Sequence, residues 1–357
     1  MKNIYYYANN IYQFSYALPV YKRLGGIFVV RDRRRYWHFK RYFINLAEFN
    51  EKTFLNTPEV IVRPRSELHK LEGVIFFLAN SIKPEYDYNK STTIFYEHGT
   101  SDKRYGGKSH EKAKRKLSKY DHIFLSGPKN KKRLEEVGLF FINGKNVEIG
   151  GLRFDEYLKD NYSKEKEMKR LHIKDTSRKN ILYAPTWRFG NGTLKKYAMK
   201  FAKEITKKHN LIIRPHYHDN KYSYLYKAKC FLQGIKHVYF SNASNIIKQD
   251  TFNDFVLADL MISDMSSVIY EFLITEKPMI IVHNDFENYH KMPQNMDIRK
   301  NADIYKETDD ILEIIDRNLT NPQYCNAYHK MVRDCFYVDG SSVDRAVKFI
   351  KEKVNTR

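Results

Sequence analysis

Short runs of β-branched and aromatic residues recur along the chain, separated by roughly 10–25 residues of helical periodicity. In the first half they are Ile4–Ala8, Ile27–Val30, Val60–Val62, Val74–Leu78, Thr93–Tyr96, His122–Ser126 and Val147–Gly150. In the second half they are Ile181–Ala184, Leu211–Arg214, Val238–Phe240, Leu260–Ser263 and Met279–Val282. Strands this short and apolar, joined through helix-length connections, predict parallel sheets covered by crossover helices. No repeat of solenoid period is present. At 357 residues the chain is too long for one ordinary domain and right for two. The charged stretch Lys159–Lys179 marks the break. The expectation is an α/β protein of two facing doubly wound Rossmann-like domains with a cleft between them. They span residues 1–160 and 180–340, with a linker at 161–179 and a C-terminal helix at 341–357.

Charge narrows the partners. With 63 Lys+Arg against 42 Asp+Glu, the net charge is +21. A chain so basic meets something anionic: nucleic acid, an acidic membrane surface or a phosphate-rich substrate. The 15% aromatic fraction argues against disorder. Cys230, Cys325 and Cys335 are odd in number and lack metal-ligand spacing, as in a reducing compartment. The opening MKNIYYYANN has no signal-peptide core, and no apolar run approaches the ~18 residues that span a bilayer. These features predict a cytosolic protein or one on the inner face of the membrane.

Open parallel sheets bind ligands at the carboxyl ends of their strands, so the residues just after strands matter most. Four such segments carry chemistry. Glu97, His98, Gly99 and Thr100 follow one strand, and a histidine there is placed as a general base, or is simply hydrogen-bonded. Trp187 and Arg188 follow Pro185, and an arginine in that position can pair with a phosphate. Arg214 and His216 leave a third strand together; His216 and His218 have no companions that would suggest zinc. In DLMISDMSSVIYEF a buried strand gives way to a helix through Ser-Asp-Met-Ser-Ser. Ser266 and Ser267 there form a phosphate cradle, with Glu271 about a turn deeper for ribose hydroxyls; the plainer reading is N-capping by Asp264 or Ser266. G-x-G-x-x-G and P-loop motifs are both missing.

In this order the segments resemble the CDP-glycerol glycerophosphotransferase family of teichoic acid and capsule synthesis. The resemblance rests on EHGTSDKRYG, on Ala184–Arg188 (APTWR), on Arg214–His216 (RPH), on SDMSSV, on GGLRFD and on DGSSVDR at Asp339–Arg345. It runs from about His98 to Arg345. Glu97 stands where the family has tryptophan, and Ser101-Asp102 where it has Pro-Leu. The short length is closer to the family's primases or compact capsule transferases than to its long polymerases.

The resemblance implies a glycosyltransferase-B type fold. It also implies transfer of glycerol phosphate, or a related alditol phosphate, from a CDP-activated donor to a hydroxyl of a lipid-linked saccharide acceptor. Ser266, Ser267, Arg214 and Arg188 would hold the donor phosphates, and Asp264 and Glu271 the nucleotide. His98 would deprotonate the acceptor, His216 would act beside the leaving CMP, and Glu97, Thr100 and Lys103 would lie on the acceptor side. No cofactor, metal or nucleic acid is called for. The rivals are a nucleotide-sugar glycosyltransferase of the same fold and a non-catalytic polyanion binder. Two basic runs, Arg31–Leu46 with its interleaved aromatics and Lys103–Lys119, predict peripheral attachment to an anionic membrane on its cytoplasmic face.

Overall fold

The computed structural model describes residues 3–43, 58–104, 110–140, 145–159, 161–245 and 250–355. The chain divides into two compact units, Met1–Lys159 with Asp334–Arg357, and Asp160–Arg333. In the first unit the strands are β1 (Asn3–Ala8), β2 (Ile27–Val30), β3 (Val60–Val62), β4 (Gly73–Phe77), β5 (Ser91–Tyr96), β6 (His122–Leu125) and β7 (Asn146–Glu148). Its helices are α1 (Leu18–Leu24), α2 (Arg33–Phe43), α3 (His110–Leu117), α4 (Pro128–Glu136) and α5 (Phe154–Leu158). The second unit holds α6 (Lys164–Arg170), β8 (Asn180–Tyr183), α7 (Leu194–Ile205), β9 (Asn210–Ile213), α8 (Ser223–Leu232), β10 (Val238–Phe240), α9 (Thr251–Leu257), β11 (Leu260–Ser263), α10 (Val268–Phe272), β12 (Met279–Val282), β13 (Asp303–Tyr305) and α11 (Ile311–Thr320). Helix α12 (Cys325–Cys335) leads back to the first unit, where α13 (Ser342–Asn355) ends the described chain.

Among the described residues the first sheet runs β3-β2-β1-β4-β5-β6-β7 and the second β10-β9-β8-β11-β12-β13. Every pairing is parallel. Both orders are doubly wound, reversing direction between β1 and β4 and between β8 and β11, where such sheets open a ligand crevice. The anticipated strands are all present. Strand β13 was not anticipated: its three residues alternate in burial and follow a polar loop, so they carry no apolar run.

Aromatic side chains fill much of the first core. Phe28 meets Tyr6, Phe14 and Phe39 at 5.0–5.5 Å between centroids. The buried Tyr120 hydroxyl accepts from the amides of Ser81 and Ile82, both at 3.1 Å. The second core is more aliphatic, with Ile181, Leu211, Ile213, Leu260, Ile262 and Ile280 fully buried.

Two boundaries differ from expectation. Segment 161–179 belongs to the second unit and carries α6, capped by Ser163 and packed on α9. The C-terminal helix belongs to the first unit, which the chain re-enters at Asp334. Here GGLRFD and DGSSVDR meet. Asp155 accepts from the Val343 amide at 2.8 Å, and Arg345 donates to the Ile149 carbonyl at 2.8 Å. These two motifs anchor the returning chain.

Helix α2 was expected to lay its aromatic rings on a membrane. Phe39 instead is fully buried against Phe14 and Phe28, and Arg35 is bonded to Asp32 and the Asn9 carbonyl. Core packing takes up part of that aromatic face, leaving Trp37 67% exposed. Residues 44–46 of this run, and Lys108 of the other, lie outside the described residues. Among the described residues no helix is long and apolar enough to cross a membrane.

A Cβ at Gly127 would lie 2.2 Å from the Cα of Phe336, so the returning chain can pass only over glycine. Gly127→Ala is therefore expected to destabilise the first unit by about 1–3 kcal/mol. Urea denaturation will read the loss, and limited proteolysis should cut residues 334–357 sooner than in the wild type.

Candidate active site

In the first unit the chemistry gathers at the β1/β4 reversal. Gly99, at φ +93°, lets the chain turn sharply after β5. The turn brings His98 over the end of β4. Its Nδ1 lies 2.6 Å from the Leu78 carbonyl, an acceptor only, so Nδ1 carries the proton and Nε2 the lone pair. The Gln13 amide nitrogen lies against the imidazole, 2.9 Å from Nε2 and 3.2 Å from Nδ1. Gln13 Oε1 accepts from the amides of Asn9 and Asn10 at 2.9 and 3.0 Å, which turns the NH2 group toward the histidine. Edge contacts from Tyr12 and Tyr16 complete the surround. Burial pushes the imidazole pKa below its usual range, outweighing the opposing pull of the Glu97 charge and of the bond to Leu78. His98 is thus a neutral, oriented imidazole.

Its neighbours in the motif have structural tasks. Glu97 pairs with buried Arg133 at 2.8 Å and accepts from Asn130 at 3.0 Å. Thr100 is buried against Ser126 and Asn130. Asp102 and Lys129 form a fully buried ion pair at 2.5 Å. The Lys103 carbonyl accepts from Arg133 at 3.3 Å, and the residue is half-buried. Glu97 and Thr100, expected on the acceptor side, tie the loop after β5 to α4, the carboxylate being held by the buried arginine. Sequence reasoning missed Gln13, Lys129, Asn130 and Arg133. The last three lie on one face of α4 at helical spacing, in a segment that carries none of the motifs.

Asn9 extends this network outward. It accepts from Arg65 at 2.6 Å while its amide donates to Gln13, so hydrogen bonds run from Arg65 through Asn9 and Gln13 to His98. Arg65, with Arg31, Asp32, Pro64, Ser66 and Lys83, lines a basic cavity of about 420 Å³ at the ends of the neighbouring strands.

In the second unit the expected segments converge at the β8/β11 reversal. Asp264 is fully buried and accepts from the Thr186 amide at 2.8 Å and from the Thr193 amide and hydroxyl, each at 3.0 Å. It fastens the loop after β8 to the loop after β11, and this replaces the ribose contact expected of it. Ser263 donates to the Ala184 carbonyl at 2.7 Å, a second tie. The helix that follows, α10, has five residues, and its cap at Ser267 makes no side-chain hydrogen bond. Neither serine hydroxyl, at 266 or 267, bonds another of the described residues. Ser266 is buried and Ser267 half-buried. Glu271 is 4% exposed.

Arg188 is exposed; its backbone is held by Asp219 at 2.7 Å, and its guanidinium stacks on Phe189 and donates to the Tyr222 hydroxyl at 2.8 Å. His216 is half-buried beside Trp187, and its Nδ1 accepts from the His218 amide at 3.3 Å, which leaves the Nε2 side to donate. Arg214 departs from expectation. It is 8% exposed and bonded to Asp254 at 2.6 Å and Ser241 at 3.0 Å. Its charge is offset inside the core, where it braces β9 against α9. Among the described residues no three His, Cys, Asp or Glu side chains are grouped to hold a metal.

No curated protein sequence matches the chain. Solved structures share its fold. The wall teichoic acid polymerase TagF superposes with a TM-score of 0.67 at 17% identity, over 99% of this chain and 88% of that one. A TagF histidine variant soaked with CDPG gives 0.69 at 19% identity, with 99% and 88% covered. UDP-GlcNAc 2-epimerase from Neisseria meningitidis, bound to UDP-GlcNAc, gives 0.63 at 14%, with 99% and 100% covered. Identities this low speak for the fold, a glycosyltransferase-B-like pair of Rossmann-like sheets. Sequence decides among the chemistries such a fold supports: from residue 20 to residue 352 it matches CDP-glycerol:poly(glycerophosphate) glycerophosphotransferase, and the chain belongs to that family of enzymes.

Proposed function

We propose that the chain transfers glycerol phosphate, or a related alditol phosphate, from its CDP-activated donor to a hydroxyl of a saccharide or glycerophosphate acceptor in teichoic acid or capsule synthesis. One observation supports this above the others. His98 is a neutral imidazole with Nδ1 fixed on a carbonyl and the lone pair left on Nε2, the state a general base requires. The acceptor hydroxyl replaces the Gln13 amide at Nε2 and gives up its proton there. Its oxygen bonds to the distal phosphorus of the donor, the bond from that phosphorus to the CMP oxygen breaks, and CMP departs with the electron pair.

The second unit holds the donor. Hydroxyls of Ser266 and Ser267, the Arg188 guanidinium and His216 Nε2–H lie on loops after neighbouring strands and offset the phosphate charge as CMP leaves. Positioning and charge stabilisation of this kind carry most of phosphoryl-type transfer. Glu271 is the carboxylate assigned to the ribose, and Lys103 the cation on the acceptor side. A lipid-linked acceptor at the inner face of the membrane completes the reading. A thermal-shift panel of CDP-glycerol, CDP-ribitol, CMP, UDP-sugars and GDP-sugars tests it; stabilisation by UDP-sugars alone would replace it with a nucleotide-sugar transferase.

His98→Ala is expected to lower kcat by about 10²-fold or more while CDP-glycerol affinity is nearly unchanged; near-normal turnover would move the base elsewhere. The acid limb of the kcat/KM profile should fall below pH 6.5, since burial keeps His98 neutral to lower pH than a free imidazole. Gln13→Ala removes a donor to Nε2 and admits water, so that limb should shift upward. Replacing both Ser266 and Ser267 with Ala should weaken CMP binding by roughly 1–3 kcal/mol, read by calorimetry on a variant with unchanged circular dichroism.

A further inference from the structure

Helix α8 has two apolar faces, and the unit it belongs to uses only one. Tyr226 and Cys230 turn inward and are buried, as is Ser223. On the opposite side Tyr224 is 75% exposed, Leu225 49%, Phe231 84% and Leu232 82%, with exposed Ala228 between them. The spacing i, i+1, i+4, i+7, i+8 makes these five one continuous stripe. Lys227 borders one side of the stripe and Lys229 the other, both exposed, and exposed Lys221 and Lys236 flank its ends. No Asp or Glu occurs between Asp219 and Asp250. Beside Phe231 lies a shallow depression of about 480 Å³ of mixed character, where Ile235, Val238 and Phe240 meet Arg170, His172 and Lys227.

We propose that α8 is a membrane-docking surface for anionic lipid. A ridge of protruding Phe, Leu and Tyr fits a fluid acyl boundary, whereas a protein partner would need a groove shaped to receive it. Lysines on both borders reach anionic headgroups while the apolar stripe lies below them. A second copy of the chain pairing on this face would set lysine rows against one another. The surface deepens the lipid-linked reading above by naming what holds the enzyme to its acceptor, and it does not depend on the transfer chemistry.

The test is flotation of the full chain with phosphatidylglycerol/phosphatidylcholine vesicles and with phosphatidylcholine alone, beside turnover measured as CMP release from CDP-glycerol onto a short water-soluble glycerophosphate oligomer. Binding to the anionic vesicles and not to the neutral ones is expected, weakened by salt. Phe231→Ser with Leu232→Ser should lower the bound fraction at least tenfold, and Lys227→Glu with Lys229→Glu should do the same. Arg33→Glu with Arg34→Glu, on α2, should leave most of the binding in place. All three variants should keep wild-type CMP release. The proposal is overturned if the wild type does not bind anionic vesicles, if the α2 variant loses binding while the α8 variants retain it, or if ultracentrifugation shows a dimer that the Phe231/Leu232 variant dissolves without any effect on flotation. Vesicle binding that tracks α8 without any CMP release would overturn the transfer reading alone.

Discussion

Parallel strand pairing governs where everything else can be. Each strand must be followed by a crossover that returns to the starting edge, and the crossover is right-handed because the strand twist allows little else. All strand-to-helix loops of a sheet therefore emerge at one edge, and at the order reversal two of them separate and leave space. The serine and arginine loops of the second unit reach their positions by that geometry, since their parent strands β11 and β8 are distant in sequence and adjacent in the sheet.

Charge then decides how rigid those loops are. The loop after β5 is held to α4 by Lys129–Asp102 and Arg133–Glu97, and the loop after β8 is tied to the loop after β11 by Asp264. Removing one member of a buried pair strands the other without water, so such pairs move together or not at all. The imidazole they surround is left uncharged, held by Gln13 and Leu78. The result is a rigid frame around groups that are themselves not tied up in ion pairs.

Much of this was readable in advance. Strands rich in Ile, Val, Phe and Tyr announced both sheets, and the order of the loop motifs announced the family. Other features depended on partners remote in sequence. Arg214 looked like a phosphate ligand because its neighbours did, and only Asp254, brought alongside by α9, reveals it as a strut. Segment 161–179 looked like a linker because its residues are charged. Glu167 is nevertheless buried, bonded to Arg170 and to Asn253 at 2.7 Å, which makes the segment a packed helix. Gln13 carries no motif at all, and its importance appears only where the segments that follow β1 and β5 meet over the end of β4.

The return of residues 334–357 to the first unit bears on how the molecule is made. The second unit is contiguous from Asp160 to Arg333 and is inserted within the first. A ribosome therefore releases a second unit able to fold before the first has received α13, the element that meets α1 and β4. Until then the surface that α13 covers is open to solvent, and Val343 has yet to reach Asp155. The unit that begins first is completed last.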